Sequence, residues 1–385
     1  MNKKSAYLTV FLWAVFCHAP AAGITLADYW ARPVSIHGKD ASARVEPFPE
    51  TCGACHADIF RDWSGALHSR SMGPGLKGQF DPRKDPAQAA LCNFCHAPAI
   101  EQSEHIEKDS GFEPNPAFDA RLKDSGVSCP VCHLRNGIFY GPPKRDGAAG
   151  QTNAEGHLFN QQGFFEDSGF CKPCHQNDDG YEFNGSPLTN TYAEWKESPY
   201  AKKAVTCQKC HMPDRRHLFR GIHDKEMTLK ALSFAAGIKR KKNSTVAGLV
   251  ITNSGAGHYF PTYSTPLVIV RGYLADENGT MLPDTMKEGY IGRRISLNMT
   301  KELFDTRIAP LKNFTFDYRI EKNTKAPKLV FEVWVEPDEF YERFFSNMLA
   351  QGGPEADKDE LKKALNAAQA SRYLLYKREL RLTGS

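Results

Sequence analysis

Five times in 385 residues the chain reads Cys-x-x-Cys-His. The copies are Cys52-Gly-Ala-Cys55-His56, Cys92-Asn-Phe-Cys95-His96, Cys129-Pro-Val-Cys132-His133, Cys171-Lys-Pro-Cys174-His175 and Cys207-Gln-Lys-Cys210-His211. Each copy reads as a covalent attachment site for one c-type haem. The two thiols form thioethers to the porphyrin vinyl groups, and the adjacent histidine becomes the proximal ligand of the iron. A zinc knuckle or a redox dithiol is the ordinary alternative for a single Cys-x-x-Cys. Five copies, each followed at once by His, set that alternative aside and imply five covalently attached haem c groups.

The motifs use ten of the 11 cysteines, and the last is Cys17. It lies in a segment with the pattern of a secretory signal: Asn2-Lys3-Lys4, an apolar run from Ala6 to Phe16, then Ala19-Pro20-Ala21-Ala22. Cleavage near Ala22 leaves no free thiol and none for a disulfide. A lipoprotein reading of Cys17 is disfavoured by bulky Phe16, and an anchor reading by the shortness of the apolar run. Covalent haem attachment outside the cytoplasmic membrane agrees with export, so the expected location is the periplasm, with the cell surface as alternative. The formal net charge of +4 loses Lys3 and Lys4 with the signal and becomes +2. Haem propionates lower it further, so nucleic acid is not an expected partner.

Five sites spaced roughly every forty residues leave segments too short to build a side-chain core of their own. The macrocycles must supply it, wrapped in short helices and Gly- and Pro-rich loops. The expected order is a signal peptide at 1–22, a leader at 23–50 and a pentahaem domain at 51–235. A β-sandwich at 243–345 and a C-terminal helix at 354–385 follow. The basic run Lys239-Arg240-Lys241-Lys242 reads as a solvated linker. Beyond it the apolar, β-branched stretches Thr245 to Thr252 and Leu267 to Ala275 read as strands. Glu277-Asn278-Gly279 reads as a tight turn, and Phe314 to Ile320 alternates with period two, as do Phe331, Val333 and Val335. The fold class is thus a multihaem cytochrome c domain of short helices and loops, followed by an antiparallel β-sandwich and a C-terminal helix. Asp357 and Glu360 mark the start of that helix, and Leu361, Ala364, Leu365 and Ala368 its apolar stripe.

An iron with two histidines moves electrons, and an iron with one can also bind a small ligand. Of 13 histidines, His18 leaves with the signal and His56, His96, His133, His175 and His211 are proximal. His37, His68, His105, His157, His217, His223 and His258 remain for the sixth positions. The preferred set is His68, His157, His217, His223 and His258, which makes most haems bis-histidine. His68 lies five residues after Trp63, and Tyr200 lies five residues after Trp195, so the two stretches form a near-repeat. Tyr200 reads either as packing on a haem edge or as facing an open iron, with Lys202 and Lys203 nearby.

The chain resembles the exported multihaem cytochromes c related to the tetrahaem cytochrome of ammonia oxidisers. These in turn are similar in haem arrangement to multihaem nitrite reductases and hydroxylamine oxidoreductases. The resemblance is carried by Cys52 to His56 with Trp63 and His68, by Gly126-Val127-Ser128 before Cys129, by Glu194-Trp195, and by Cys210-His211-Met212-Pro213. Gly257 to Thr262 and Asp305-Thr306-Arg307-Ile308 extend it towards the C-terminus. It implies closely packed haems in stacked and perpendicular pairs with mostly bis-histidine ligation. The pentahaem nitrite reductases carry Lys in place of the motif His at the catalytic haem, whereas all five motifs here end in His.

The expected function is relay of electrons between redox protein partners. The alternative is a haem oxidoreductase with one open iron acting on a small nitrogen or sulfur oxyanion. Docking to a membrane redox complex or an outer-membrane porin, and self-assembly, stay open.

Overall fold

The computed structural model describes residues 24–38, 46–109, 111–145, 152–154, 157–177, 182–241, 244–322, 324–352 and 357–382. The signal expected at 1–22 lies outside them. Each haem motif lies on or beside one short helical turn. The turns are α1 (Pro49–Gly53), α3 (Pro86–His96), α4 (Cys129–His133), α5 (Lys172–His175) and α7 (Cys207–His211). Between them stand α2 (Ala57–Ser64) and α6 (Thr191–Lys196). One turn puts both cysteines and the histidine of a motif on the same side of the backbone. His56 and His175 each close that turn by donating N–H to the carbonyl of the first cysteine.

Side chains build little core in this half. Its cluster of fully buried residues is Ile36, Ala99, Leu122, Val131 and Leu134. Part of it comes from the segment expected to be a mere leader. Tyr29, Val34 and Ile36 are buried, and Arg135 donates to the Tyr29 carbonyl with its guanidinium over the Tyr29 ring at 4.1 Å. Ile59, Leu67, Leu91 and Phe94 are exposed close to the motifs. These are surfaces that a porphyrin face would cover.

The second half is a two-layer sandwich. One sheet holds β1 (Leu232–Lys241), β2 (Ser244–Asn253) and β6 (Asn313–Ile320), with β2 central. The other runs in the order β5 (Glu302–Asp305), β4 (Lys287–Ile295), β3 (Leu267–Ala275), β7 (Lys328–Glu336), β8 (Tyr373–Arg381). All pairings are antiparallel; Leu249 stands opposite Phe316 and Ala236, and Val270 opposite Gly289 and Val333. The inward set includes Leu249, Ile251, Phe316, Val268, Val270, Phe331 and Val333. Gly279, with φ of 85°, makes the expected tight turn after β3.

Three expectations are corrected. Lys239, Arg240 and Lys241 are no linker: they end β1, where Arg240 pairs with Thr245. β1 is an edge strand, and charges there discourage further pairing. The sandwich region also contains a helix, α8 (Glu339–Gln351), whose Phe340, Tyr341, Phe344 and Phe345 supply an aromatic stripe. The closing helix α9 (Lys358–Ala370) is capped by Asp357 as expected, but it stops at Ala370. Tyr373–Arg381 is β8, paired along β7, and Tyr376 stacks on Phe234 of β1 at 4.3 Å to join the two sheets at one side. α8 and α9 reach back to the haem half, where Phe345 lies against Gly75 and Leu361 against Gly78.

Phe331→Ala should lower stability by about 3–5 kcal/mol, because the ring is fully buried between the sheets. Denaturant unfolding of the haem-loaded protein checks this.

Candidate functional site

The histidines meet in pairs. His133 and His217 have ring centres 6.1 Å apart, His68 and His175 6.1 Å, and His211 and His258 6.3 Å. With a metal–imidazole bond of about 2.0–2.1 Å and about 1.1 Å from Nε2 to ring centre, two imidazoles sharing one metal put their centres about 6.3 Å apart. Each pair joins one motif histidine to one histidine singled out as a sixth ligand.

The ring nitrogens agree with that use. Nδ1 of His96 bonds the Ser71 carbonyl (2.8 Å), that of His133 the Tyr140 carbonyl (2.9 Å) and that of His211 the Arg220 carbonyl (2.6 Å). Nδ1 of His217 bonds the Arg215 carbonyl (3.0 Å) and that of His258 its neighbour's, Tyr259 (2.8 Å). A carbonyl only accepts, so in each ring Nδ1 carries the proton and Nε2 keeps its lone pair for a metal. His175 differs: its Nδ1 meets the phenol of Tyr263. Burial pushes His68 down to about 3 and His133, His175 and His258 to about 4, which keeps these rings neutral at pH 7.

The thiols show how the sites neighbour one another. Cys52 lies beside Cys129, Cys95 beside Cys174, and Cys171 beside Cys207. Cys132 and Cys174 also sense one another electrostatically. The first motif therefore adjoins the third, the second adjoins the fourth, and the fourth adjoins the third and the fifth. All ten cysteines are free of disulfides. Paired thiols on a helical turn, a histidine with a free Nε2 and uncovered apolar surface together fit covalent haem.

The Trp near-repeat has a structural counterpart. The indole N–H of Trp63 donates to the carbonyl of Val127, two residues before Cys129 (2.9 Å). That of Trp195 donates to Val205, two residues before Cys207 (2.8 Å). The preceding acid repeats too. Asp62 takes both guanidinium bonds of Arg216, next to His217. Glu194 accepts from the backbone N–H of Tyr259, next to His258. In both halves, then, the acid anchors a paired histidine and the Trp anchors a haem motif. The parallel ends at His68 and Tyr200: His68 faces His175, whereas the Tyr200 hydroxyl donates to the Ser254 carbonyl at 2.6 Å.

Two glycines make room here. Gly126, with φ of 63°, passes so close to the His68 carbonyl that a Cβ would lie 2.6 Å from it. A Cβ on Gly257 would stand 3.2 Å from both Trp195 and Tyr200.

The remaining candidates are placed otherwise. His223 Nε2 bonds the Asp338 carboxylate at 2.9 Å. The backbone of His157 opens a strand (His157–Gln161), and its side chain lies outside the described residues. His37 gives its backbone N–H to Glu101, and His105 begins a hairpin strand. Among the described residues, no second histidine stands opposite His96 at the paired spacing.

Sequence reading missed Tyr263 and the buried ion pair behind it. Arg307 and Glu194 are each 3% exposed at the side chain and meet at 2.9 Å, with Asp305 holding Arg307 from the other side. Glu194 also takes the hydroxyl proton of Thr262 (2.8 Å). Burial pushes the Glu194 carboxyl up, and Arg307 opposes that. The signal was present in Glu194-Trp195, read against Asp62-Trp63.

A search of the solved structures finds a penta-haem cytochrome c552 from Thermochromatium tepidum. It matches with a TM-score of 0.60 and 19% identity, over 88% of this chain and 99% of that one. The fold is that of a multihaem c-type cytochrome. The model of the family described as cytochrome c554 and c-prime matches residues 51–134, which hold the first three motifs. No curated protein matches the chain. Among the described residues, no helix is long and apolar enough to cross a membrane.

Gly126→Ala should cost about 1–3 kcal/mol through its positive φ, beyond the clash with His68. The loss should show in thermal unfolding and as a disturbed spectrum of the haem attached at Cys171 and Cys174.

Proposed function

We propose that this chain is an exported pentahaem cytochrome c that relays electrons between redox partners. The observation that carries the proposal is the three histidine pairs at 6.1, 6.1 and 6.3 Å, the spacing of two imidazoles on one metal. In this reading His56, His96, His133, His175 and His211 are proximal ligands. His217 serves the site of His133, His68 that of His175, and His258 that of His211. A kinship with the tetrahaem cytochromes of ammonia oxidisers belongs to the same proposal, as do periplasmic location and docking to a membrane redox complex or porin.

Each haem, when bound, supplies a one-electron iron couple. The chain's part is geometric and electrostatic. The motif cysteines of neighbouring sites lie side by side, which would bring the haems close together in a line running first, third, fourth, fifth, with the second site joined at the fourth. Carbonyls on Nδ1 fix the ring orientation and raise ligand basicity, which favours the oxidised state. At the three paired sites, two protein ligands on one iron would leave no coordination position for a small substrate.

The haem-loaded protein should contain five haems and take up five electrons in a reductive titration, with no steady-state reduction of nitrite or sulfite. Steady-state turnover of either would sink the relay reading in favour of an open-iron enzyme. His217→Ala should leave five haems attached and turn one low-spin iron high-spin, read in the visible spectrum.

A further inference from the structure

The segment expected to be a mere leader carries an arginine into the haem half. Arg32 Nη2 lies 3.9 Å from Sγ of Cys174, the second cysteine of the fourth motif. Its Nη1 donates to the carbonyl of Pro98, two residues after His96 (3.3 Å). Its guanidinium stands 4.1 Å over the ring of Phe94, which lies between the two cysteines of the second motif. A second guanidinium stands close by. Arg135, 5% exposed, lies two residues after His133 of the third motif. It donates to the carbonyls of Tyr29, Val131 and Leu134, each at 2.7 Å. Trp30 joins the two, with the Arg32 guanidinium 5.8 Å and that of Arg135 4.8 Å from its ring.

Among the described residues, every acceptor of Arg32 and Arg135 is uncharged, and Arg32 Nε and Arg135 Nη2 are buried with no acceptor at all. Cys174 Sγ is uncharged too once it is a thioether. Glu101, the carboxylate that Arg135 senses, spends its oxygens on Ser35, Ile36 and His37. A guanidinium stays protonated in a protein. An aromatic face eases the burial of a cation without neutralising it. Two positive charges therefore stand beside the second, third and fourth motifs with no described carboxylate bonded to them. We infer that Arg32, reinforced by Arg135, raises the potential of the fourth haem and makes it the site where electrons collect in the relay. The inference rests on the haem reading above.

The physical consequence follows from Coulomb's law. Reduction of a haem iron adds one negative charge, and a fixed cation beside the porphyrin edge favours that state. Burial strengthens the effect, because a low dielectric screens it less than water does. The direction opposes the carbonyl locks on Nδ1, which favour the oxidised state. The fourth motif adjoins the second, the third and the fifth, so a raised potential there draws electrons from three neighbours to one junction. The segment around Arg32 is thereby part of the relay.

The test is a potentiometric titration of the haem-loaded protein followed by electron paramagnetic resonance, wild type against Arg32→Gln, Arg32→Met and Arg32→Lys. The rings of His68 and His175 are 83° apart, against 13° for His211 and His258 and 37° for His133 and His217. Near-perpendicular ligand planes give a strongly anisotropic low-spin signal, so the fourth iron can be followed separately. In Arg32→Gln its reduced-to-oxidised ratio at fixed potential should fall about tenfold, about 59 mV for one electron. Arg32→Met should shift it alike, since both variants remove the charge, and Arg32→Lys should restore most of the shift. The His211 and His258 iron should move far less. A fourth haem unshifted in the neutral variants, a shift that Arg32→Lys does not reverse, or an equal shift of all irons overturns the inference. If one neutral variant loses a haem the other decides, and loss of a haem from both would show a structural role and overturn it as well. Fewer than five haems in the wild type would instead overturn the underlying reading.

Discussion

Two imidazoles that share one metal must stand a fixed distance apart, and three pairs of histidine rings in this structure stand at that distance. His133 with His217, His68 with His175 and His211 with His258 all come from separate parts of the chain. The backbone between them has few apolar contacts of its own. Short helical turns and carbonyl locks on Nδ1 fix positions that a packed side-chain core would otherwise fix. Where apolar residues stay uncovered, as at Leu67, Leu91 and Phe94, porphyrins would complete the core.

The sandwich contributes to the same condition. Its own core is ordinary: alternating strands bury Leu249, Phe316, Phe331 and Val333 between two sheets. Its edge loop, however, carries His258 and Tyr263 to the haem half, and the Glu194–Arg307 pair fastens that loop. A buried ion pair adds little net stability over apolar packing, but breaking one side of it is costly. Its use here is orientation. Asp62 plays the corresponding part for His217 through Arg216, which makes the two Trp stretches working copies of one device.

The motifs were fully legible in the sequence, because thioether chemistry demands one spacing and the proximal histidine must follow at once. His68, His217 and His258 could be singled out because few histidines were left for the sixth positions. Their partners could not, since the pairing is long-range: His68 meets His175 across more than a hundred residues. His223 is held instead by the carboxylate of Asp338, more than a hundred residues away, a contact that no local pattern signals. Apolar, β-branched runs located β2 and β3, and period-two alternation located β6 and β7. Neither found β8, whose Lys377-Arg378-Glu379 run reads as a polar helix surface until its pairing with β7 is seen. Tyr263 was invisible because a phenol in a loop has no pattern; only the fold brings it to His175 Nδ1.

The account stands or falls on where the irons are. An anomalous difference map recorded at the iron edge from crystals of the haem-loaded protein locates them directly. The account predicts five peaks, three of them midway between the Nε2 atoms of His133 and His217, His68 and His175, and His211 and His258. Peaks displaced from those midpoints, with the second histidine turned away from the iron, would contradict it.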